Sequence, residues 1–312
     1  MSEAHSSRSL AYLALLAGLL CIAWSAILVR WTDIPGPASA FYRLLIPAIA
    51  LAPTWLMDRK RPRVNARTLA IICVGGLFFG LDLAFYNTSI LRTSAANATL
   101  LGNNTPIFVG LITWLVFRRR PSAAFWVGLA LAVTGSLVIV WGDLVQRARP
   151  GWGDAMALLA SACFAVYLLA TEQVRGHTGT LVFLRLAIVS SAAFLLVLNL
   201  VLRVPLGIPS EKSFAALLGL GLVSQLGGYL ALTYAMGHLP ATVTSVSLLS
   251  QGPLTAVLAA ILLKEPLTTP LLVGGALVLL GIGLANRLKS PEQEANAALC
   301  EAVEAVEGET SA

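Results

Sequence analysis

The sequence predicts an all-α integral membrane protein of ten transmembrane helices, arranged as two inverted five-helix repeats. Three observations carry that expectation. Apolar segments of bilayer-spanning length follow one another with little between them; charge is scarce and gathers in the connections; and the second half of the chain repeats landmarks of the first. Of the 312 residues, 57% are hydrophobic and 12% charged, whereas a soluble domain carries about 25% charged residues. With a mean hydropathy of +0.82, such a chain needs a bilayer as its solvent.

The apolar segments run over residues 10–29, 38–57, 68–91, 95–117, 122–142, 152–171, 180–202, 213–236, 241–263 and 268–287. Each supplies roughly 20 residues, enough for a helix to cross a hydrocarbon core of about 30 Å. Helices satisfy their own backbone groups in lipid, and a β-barrel would show short alternating runs instead. Arg8 ahead of the first segment imitates a signal sequence. The segment is too long for that and lacks a small-residue cleavage pattern, so it is expected as the first span. Turn-forming residues separate the others: Asp33-Ile34-Pro35-Gly36-Pro37 after the first, Arg118-Arg119-Arg120-Pro121 after the fourth, Arg149-Pro150-Gly151 before the sixth.

Charge orients the bundle. An N-terminus inside puts twelve Lys and Arg on the cytoplasmic side, chiefly within 59–67 and 118–120, against seven outside. Both termini are therefore expected in the cytoplasm. The net charge of +6 is no nucleic-acid footprint, because the bases sit in loops between spans. The end of the chain, 289–312, is an acidic tail expected to be solvated and disordered. Cys21, Cys73 and Cys163 lie inside apolar runs and Cys300 in the tail; none has metal-ligand spacing, and they read as reduced packing residues.

The halves match in order. Phe41-x-Arg43-Leu44-x-Ile46 of the second span returns as Phe183-x-Arg185-Leu186-x-Ile188 of the seventh, and Cys21-x-Ala23 as Cys163-x-Ala165. Asn97, Asn103, Asn104 and Pro106 precede Thr244, Ser250, Gln251 and Pro253 by 147 residues. Gly128-x6-Gly135 answers Gly274-x6-Gly281. The first repeat thus covers 10–142 and the second 152–288. Five spans per repeat is odd, so the second repeat enters the membrane from the opposite side. Inverted repeats of this kind are common in secondary transporters, which bind substrate near the midplane where the repeats meet.

Polar side chains within the spans are the candidates for such a site. Asn97 and Asn104 are seven apart, as are Thr244 and Gln251, so each pair is expected on one helix face. They line a cavity or join helices by hydrogen bonds. Pro106 and Pro253 each free a carbonyl one turn earlier and permit a bend. Arg43 and Arg185 either reach to the nearest interface or serve as symmetry-related gating or packing charges. Asp82 carries a coupling proton, meets a substrate amine, or pairs with a base such as Arg43. Trp24, Tyr86, Tyr167, Tyr229 and Tyr234 are available as cavity walls, while Trp31, Trp141 and Trp152 suit the membrane interface.

Phe-x-Arg early in the second helix of each half, a proline midway along the fourth, and Lys264-Glu265-Pro266-Leu267 followed by Gly274 together resemble the EamA-type drug/metabolite transporter superfamily, over about residues 10–288. The resemblance implies the ten-helix inverted-repeat fold and export of small metabolites, often amino acids, without ATP. The chain as a whole looks closest to bacterial exporters of aromatic and neutral amino acids, which implies a place in the bacterial inner membrane. Such proteins often carry a Glu at the end of the fourth helix, where this chain has Arg118-Arg119-Arg120. Glu265, its counterpart after the ninth, is accordingly expected to cap a helix end rather than to couple transport.

Other classes fit less well. No Gly-x4-Gly-Lys-Ser/Thr stretch occurs, so no ATP-driven step is expected. A nucleotide-sugar or drug-like solute carrier of the same fold is the nearest alternative, but phosphate esters call for several cavity bases and only Arg43 and Arg185 qualify. A channel or structural membrane protein is the other. An enzyme is not expected: Gly80-Leu81-Asp82 lacks a second membrane-embedded Asp, and His5, His177 and His238 lie at loops or the terminus. No metal, cofactor or nucleic acid is implied. The partners are a small-molecule substrate and the lipid bilayer, and the small faces of the fifth and tenth spans leave monomer and homodimer open.

Overall fold

The structure is a computed structural model, described over residues 2–57, 64–118, 123–147, 151–175, 178, 180–238 and 250–287. No strand occurs among them. The helices are α1 (Ser2–Ala23), α2 (Ser25–Trp31), α3 (Gly36–Met57), α4 (Ala66–Arg92), α5 (Ala95–Gly102), α6 (Thr105–Phe117), α7 (Ala123–Arg147), α8 (Trp152–Arg175) and α9 (Thr180–Val201). There follow α10 (Glu211–Leu218), a π-helix (Gly219–Gly227), α11 (Gly228–His238), α12 (Gln251–Leu262) and α13 (Thr269–Arg287). Each of the ten apolar segments is largely helical over its described residues. Among the described residues, six helical runs are long and apolar enough to cross a membrane, and three shorter helices are apolar. The acidic tail, like Thr244, lies outside the described residues.

Caps and breaks follow local chemistry. Asn65 accepts from Thr68 N–H at 2.7 Å to start α4, and Ser94 accepts from Asn97 N–H at 3.0 Å to start α5. Three spans expected as continuous are interrupted. The first breaks at Trp24, between α1 and α2. The fourth breaks at Asn103–Asn104, because Pro106 has no N–H to offer the Gly102 carbonyl; Thr105 Oγ1 donates to it instead at 3.1 Å. The eighth passes through nine residues of π-helix, where Gly219, Gly221 and Gly227 offer little resistance to widening.

Packing respects the exchange of repeats. α4 of span 3 packs on α8 of span 6, and correspondingly the π-helix and α11 of span 8 pack on α1. α4 also packs on α9, as the π-helix does on α3. Spans 5 and 10 are each other's counterparts and meet directly. A Cβ on Gly135 would lie 2.5 Å from the Gly274 carbonyl, and one on Gly281 would lie 2.5 Å from that of Gly128. The pairing of 128 with 281 and 135 with 274 runs antiparallel, as inversion requires. The small faces of the fifth and tenth spans are thus used inside the chain. Of the cysteines, Cys73 lies exposed on α4 rather than packed, while Cys21 and Cys163 are half-buried.

Candidate functional site

A polar and aromatic cluster forms where spans 1, 2, 3, 6 and 8 converge. Arg43, only 3% exposed, does not reach for the interface. Its Nε donates to Gln225 Oε1 at 2.8 Å, and Nη1 donates to Ser25 Oγ at 3.1 Å. Local structure places each partner. The break at Trp24 puts Ser25 at the start of α2, and Gln225 sits within the π-helix. Pro47, one turn after Arg43 in α3, leaves the Arg43 carbonyl without a helical donor.

Asp82, on α4, faces this cluster partly exposed. Among the described residues it accepts no hydrogen bond and makes no ion pair, so the direct pairing with Arg43 that its position suggested does not form. Tyr86 is one turn along α4 from Asp82, and its hydroxyl pairs with Thr99 Oγ1 of α5 at 2.9 Å. Tyr167 stacks on Phe79 with ring centroids 4.6 Å apart. Tyr229 meets Phe79 edge-on at 6.0 Å, and Phe164 lies 5.7 Å from Tyr167. These rings come from α4, α8 and α11, so both repeats contribute.

The structure therefore brings Arg43, Asp82, Tyr86, Tyr167 and Tyr229 together, and Trp24 packs with Tyr86 on one apolar cluster beside them. The asparagines behave differently. The break at 103–104 ends the shared face expected of Asn97 and Asn104. Asn104 Nδ2 donates to the Leu101 carbonyl at 2.9 Å, and its Oδ1 accepts from Ser136 of α7 at 3.5 Å. It closes a helix end and joins two spans. Asn97 is buried on α5. Gln251 opens α12 beside Gly252, whose backbone approaches so closely that a Cβ would lie 2.9 Å from Asn103 Nδ2. The start of α12 thus abuts the break in span 4. Pro253 is exposed and Pro106 half-buried. Arg185 is 6% exposed and turns into the bundle. The side chain of Tyr234 lies outside the described residues.

Sequence reasoning did not single out Ser25, Phe79, Thr99, Phe164 or Gln225. Gln225 carried a signal, being an amide inside an apolar span that also contains no charge to meet Arg43. Glu265 has the capping role expected of it. Its two oxygens accept from Ala95 N–H of α5 at 3.1 and 3.0 Å, and Arg30 of α2 pairs with it at 3.3 Å. Arg30 also donates to the Thr93 carbonyl. Among the described residues no His, Cys, Asp or Glu cluster could hold a metal ion.

The EamA-like transporter family model matches this chain twice, over residues 9–141 and 151–287. A probable terminal-alkyne amino-acid exporter of Streptantibioticus cattleyicolor is 27% identical over 247 residues, covering 78% of this chain and 82% of the relative. A pseudopaline exporter of Pseudomonas aeruginosa is 28% identical over 220 residues, covering 69% and 73%. An uncharacterised transporter of Bacillus subtilis is 26% identical over 272 residues, covering 82% and 86%. A solved crystal structure superposes with a TM-score of 0.59 at 19% identity, over 89% of this chain and 97% of that one, a likeness of fold.

Proposed function

The chain belongs to the EamA-like transporter family, and on that premise we propose that it is a secondary exporter of aromatic and neutral amino acids. It works by alternating access through the space between its two repeats, in the bacterial inner membrane with both termini in the cytoplasm. The observation that carries this reading is the central cluster itself. Arg43, Asp82 and Gln225 lie inside an apolar bundle, bordered by Phe79, Tyr86, Tyr167 and Tyr229. Charges kept at that depth are costly and mark a substrate or ion path. Rings beside them suit a ligand with one polar end and one apolar end. The amino-acid exporter among its relatives supports the same class. A phosphate-ester carrier fits poorly, since Asp82 would repel the anion that Arg43 attracts. Trp24, Asn97, Gln251, Thr244 and Tyr234 complete the proposed cavity lining, with Arg185, Pro106 and Pro253 serving gating and packing.

Uptake of labelled amino acids into proteoliposomes tests the proposal. Saturable uptake of phenylalanine or leucine, competed by unlabelled aromatic and neutral amino acids, is the expected result. Response to an imposed pH gradient separates proton coupling from facilitated flux. If no amino acid enters or competes, the substrate class is wrong.

A further inference from the structure

We propose that Arg43 and Asp82 act as a two-charge receptor for a zwitterion, Arg43 taking the α-carboxylate and Asp82 the α-ammonium, while the rings of Phe79, Tyr167 and Tyr229 take the side chain. This rests on the amino-acid exporter reading and deepens it, because it assigns each end of the substrate to a named group and requires both charges on it.

The donors of Arg43 are the starting point. A guanidinium has five N–H groups and no acceptor. One is committed to Gln225 and one to Ser25. Both partners are neutral, so they fix the orientation of the side chain without cancelling its charge. Among the described residues Nη2 donates to nothing, and the atom is not sealed within the protein. The fork is therefore oriented by its neutral partners, and its Nη2 donors are left to meet a carboxylate.

Asp82 is the complement. Its carboxylate makes no hydrogen bond or ion pair among the described residues, and its oxygens are likewise not sealed. Two opposite charges in a bundle of low polarity attract strongly when nothing separates them. Here Arg43 is tied by Gln225 and Ser25 and stays out of contact with Asp82. The two groups thus make no ion pair with each other among the described residues. A zwitterion satisfies both charges at once. An amine alone leaves Arg43 uncompensated, and a carboxylate alone leaves Asp82 so.

Competition against labelled phenylalanine uptake in proteoliposomes of the full chain tests this directly. The unlabelled competitors are phenylalanine, phenethylamine (no carboxylate) and 3-phenylpropionate (no ammonium). Phenylalanine is expected to compete at least about tenfold better than either analogue, since a site built to bind a group rejects a ligand lacking it. Arg43→Gln should erase its advantage over phenethylamine, and Asp82→Asn its advantage over 3-phenylpropionate. Thermal unfolding of the purified variants in detergent monitors folding, and the wild-type competition needs no variant at all. Equal competition by all three compounds overturns the receptor while leaving the exporter standing, as do variants that weaken all three by one factor. Absence of any amino-acid uptake removes the exporter reading and the receptor with it.

Discussion

Gln225 is the residue on which the site turns, because it holds Arg43 by a short contact from a span 182 positions away in sequence. Replacing it with leucine would leave the buried Nε–H of a charged group without an acceptor, a loss of roughly 1.5–3 kcal/mol for a hydrogen bond to a charged group. Gln225→Leu should therefore unfold at a clearly lower temperature than the wild type in detergent. Gln225→Glu should behave oppositely. It keeps an acceptor for Nε, and thus the fold, while adding a negative charge that neutralises Arg43. Transport should then fall sharply with no loss of thermal stability; undiminished flux in Gln225→Glu would mean that the charge of Arg43 is not used. Legibility at this scale was uneven for a physical reason. Arg43 and Asp82 stood out because ionisable groups are rare in spans, and the tyrosines because their chemistry suits a cavity. Which neutral group would hold Arg43 depended on the fold bringing spans 1 and 8 against span 2, and no local pattern encodes that. Asn97 and Asn104 misled for the converse reason: a seven-residue spacing gives a common face only while the helix is continuous, and Pro106 interrupts it.

At the level of the element, the antiparallel contact of α7 with α13 is the clearest case of a spacing that was visible but not assignable. Gly128-x6-Gly135 and Gly274-x6-Gly281 announced two small faces. Small faces let backbones approach in a membrane, whether within a chain or between chains, so sequence left the partner open. The structure seats each face on the other, with no room for a side chain at Gly135 or Gly281. Gly135→Val should therefore force the helices apart, at a cost of at least about 1–3 kcal/mol from overpacking. Expression as a monodisperse peak in size-exclusion chromatography should drop. Gly283 is the internal control, since nothing lies within 4 Å of a Cβ there. Gly283→Ala should match or exceed wild-type stability, alanine being the better helix former. If Gly135→Val and Gly283→Ala behave alike, tight α7–α13 packing does not support the fold. The π-helix of span 8 and the break at Trp24 were not legible at all. Glycines and a tryptophan occur in many regular membrane helices, so these residue types alone do not signal the irregular form.

The whole molecule is joined at one mouth by a contact that belongs to neither repeat alone. Arg30 ends span 1, Ala95 begins span 4, and Glu265 follows span 9, so the first repeat supplies the cation and the N–H donor while the second supplies the carboxylate. On the proposed topology this is the outer mouth. An ion pair at a half-exposed position contributes little by itself. Here, however, the same carboxylate also accepts from the N-terminus of α5, where the helix dipole favours a negative charge. The clasp therefore resists separation of the repeats at this end, and the proposed alternating access would require that separation once per cycle. Tethering it should arrest transport. With the native cysteines replaced, Arg30→Cys and Glu265→Cys joined by a short bifunctional thiol reagent should stop amino-acid flux, and reducing the linker should restore it. Either cysteine alone, treated with the same reagent, should retain most of its flux. Full flux through the tethered protein would mean that this end stays closed throughout the cycle, and that the repeats do not exchange roles by rocking about the central site.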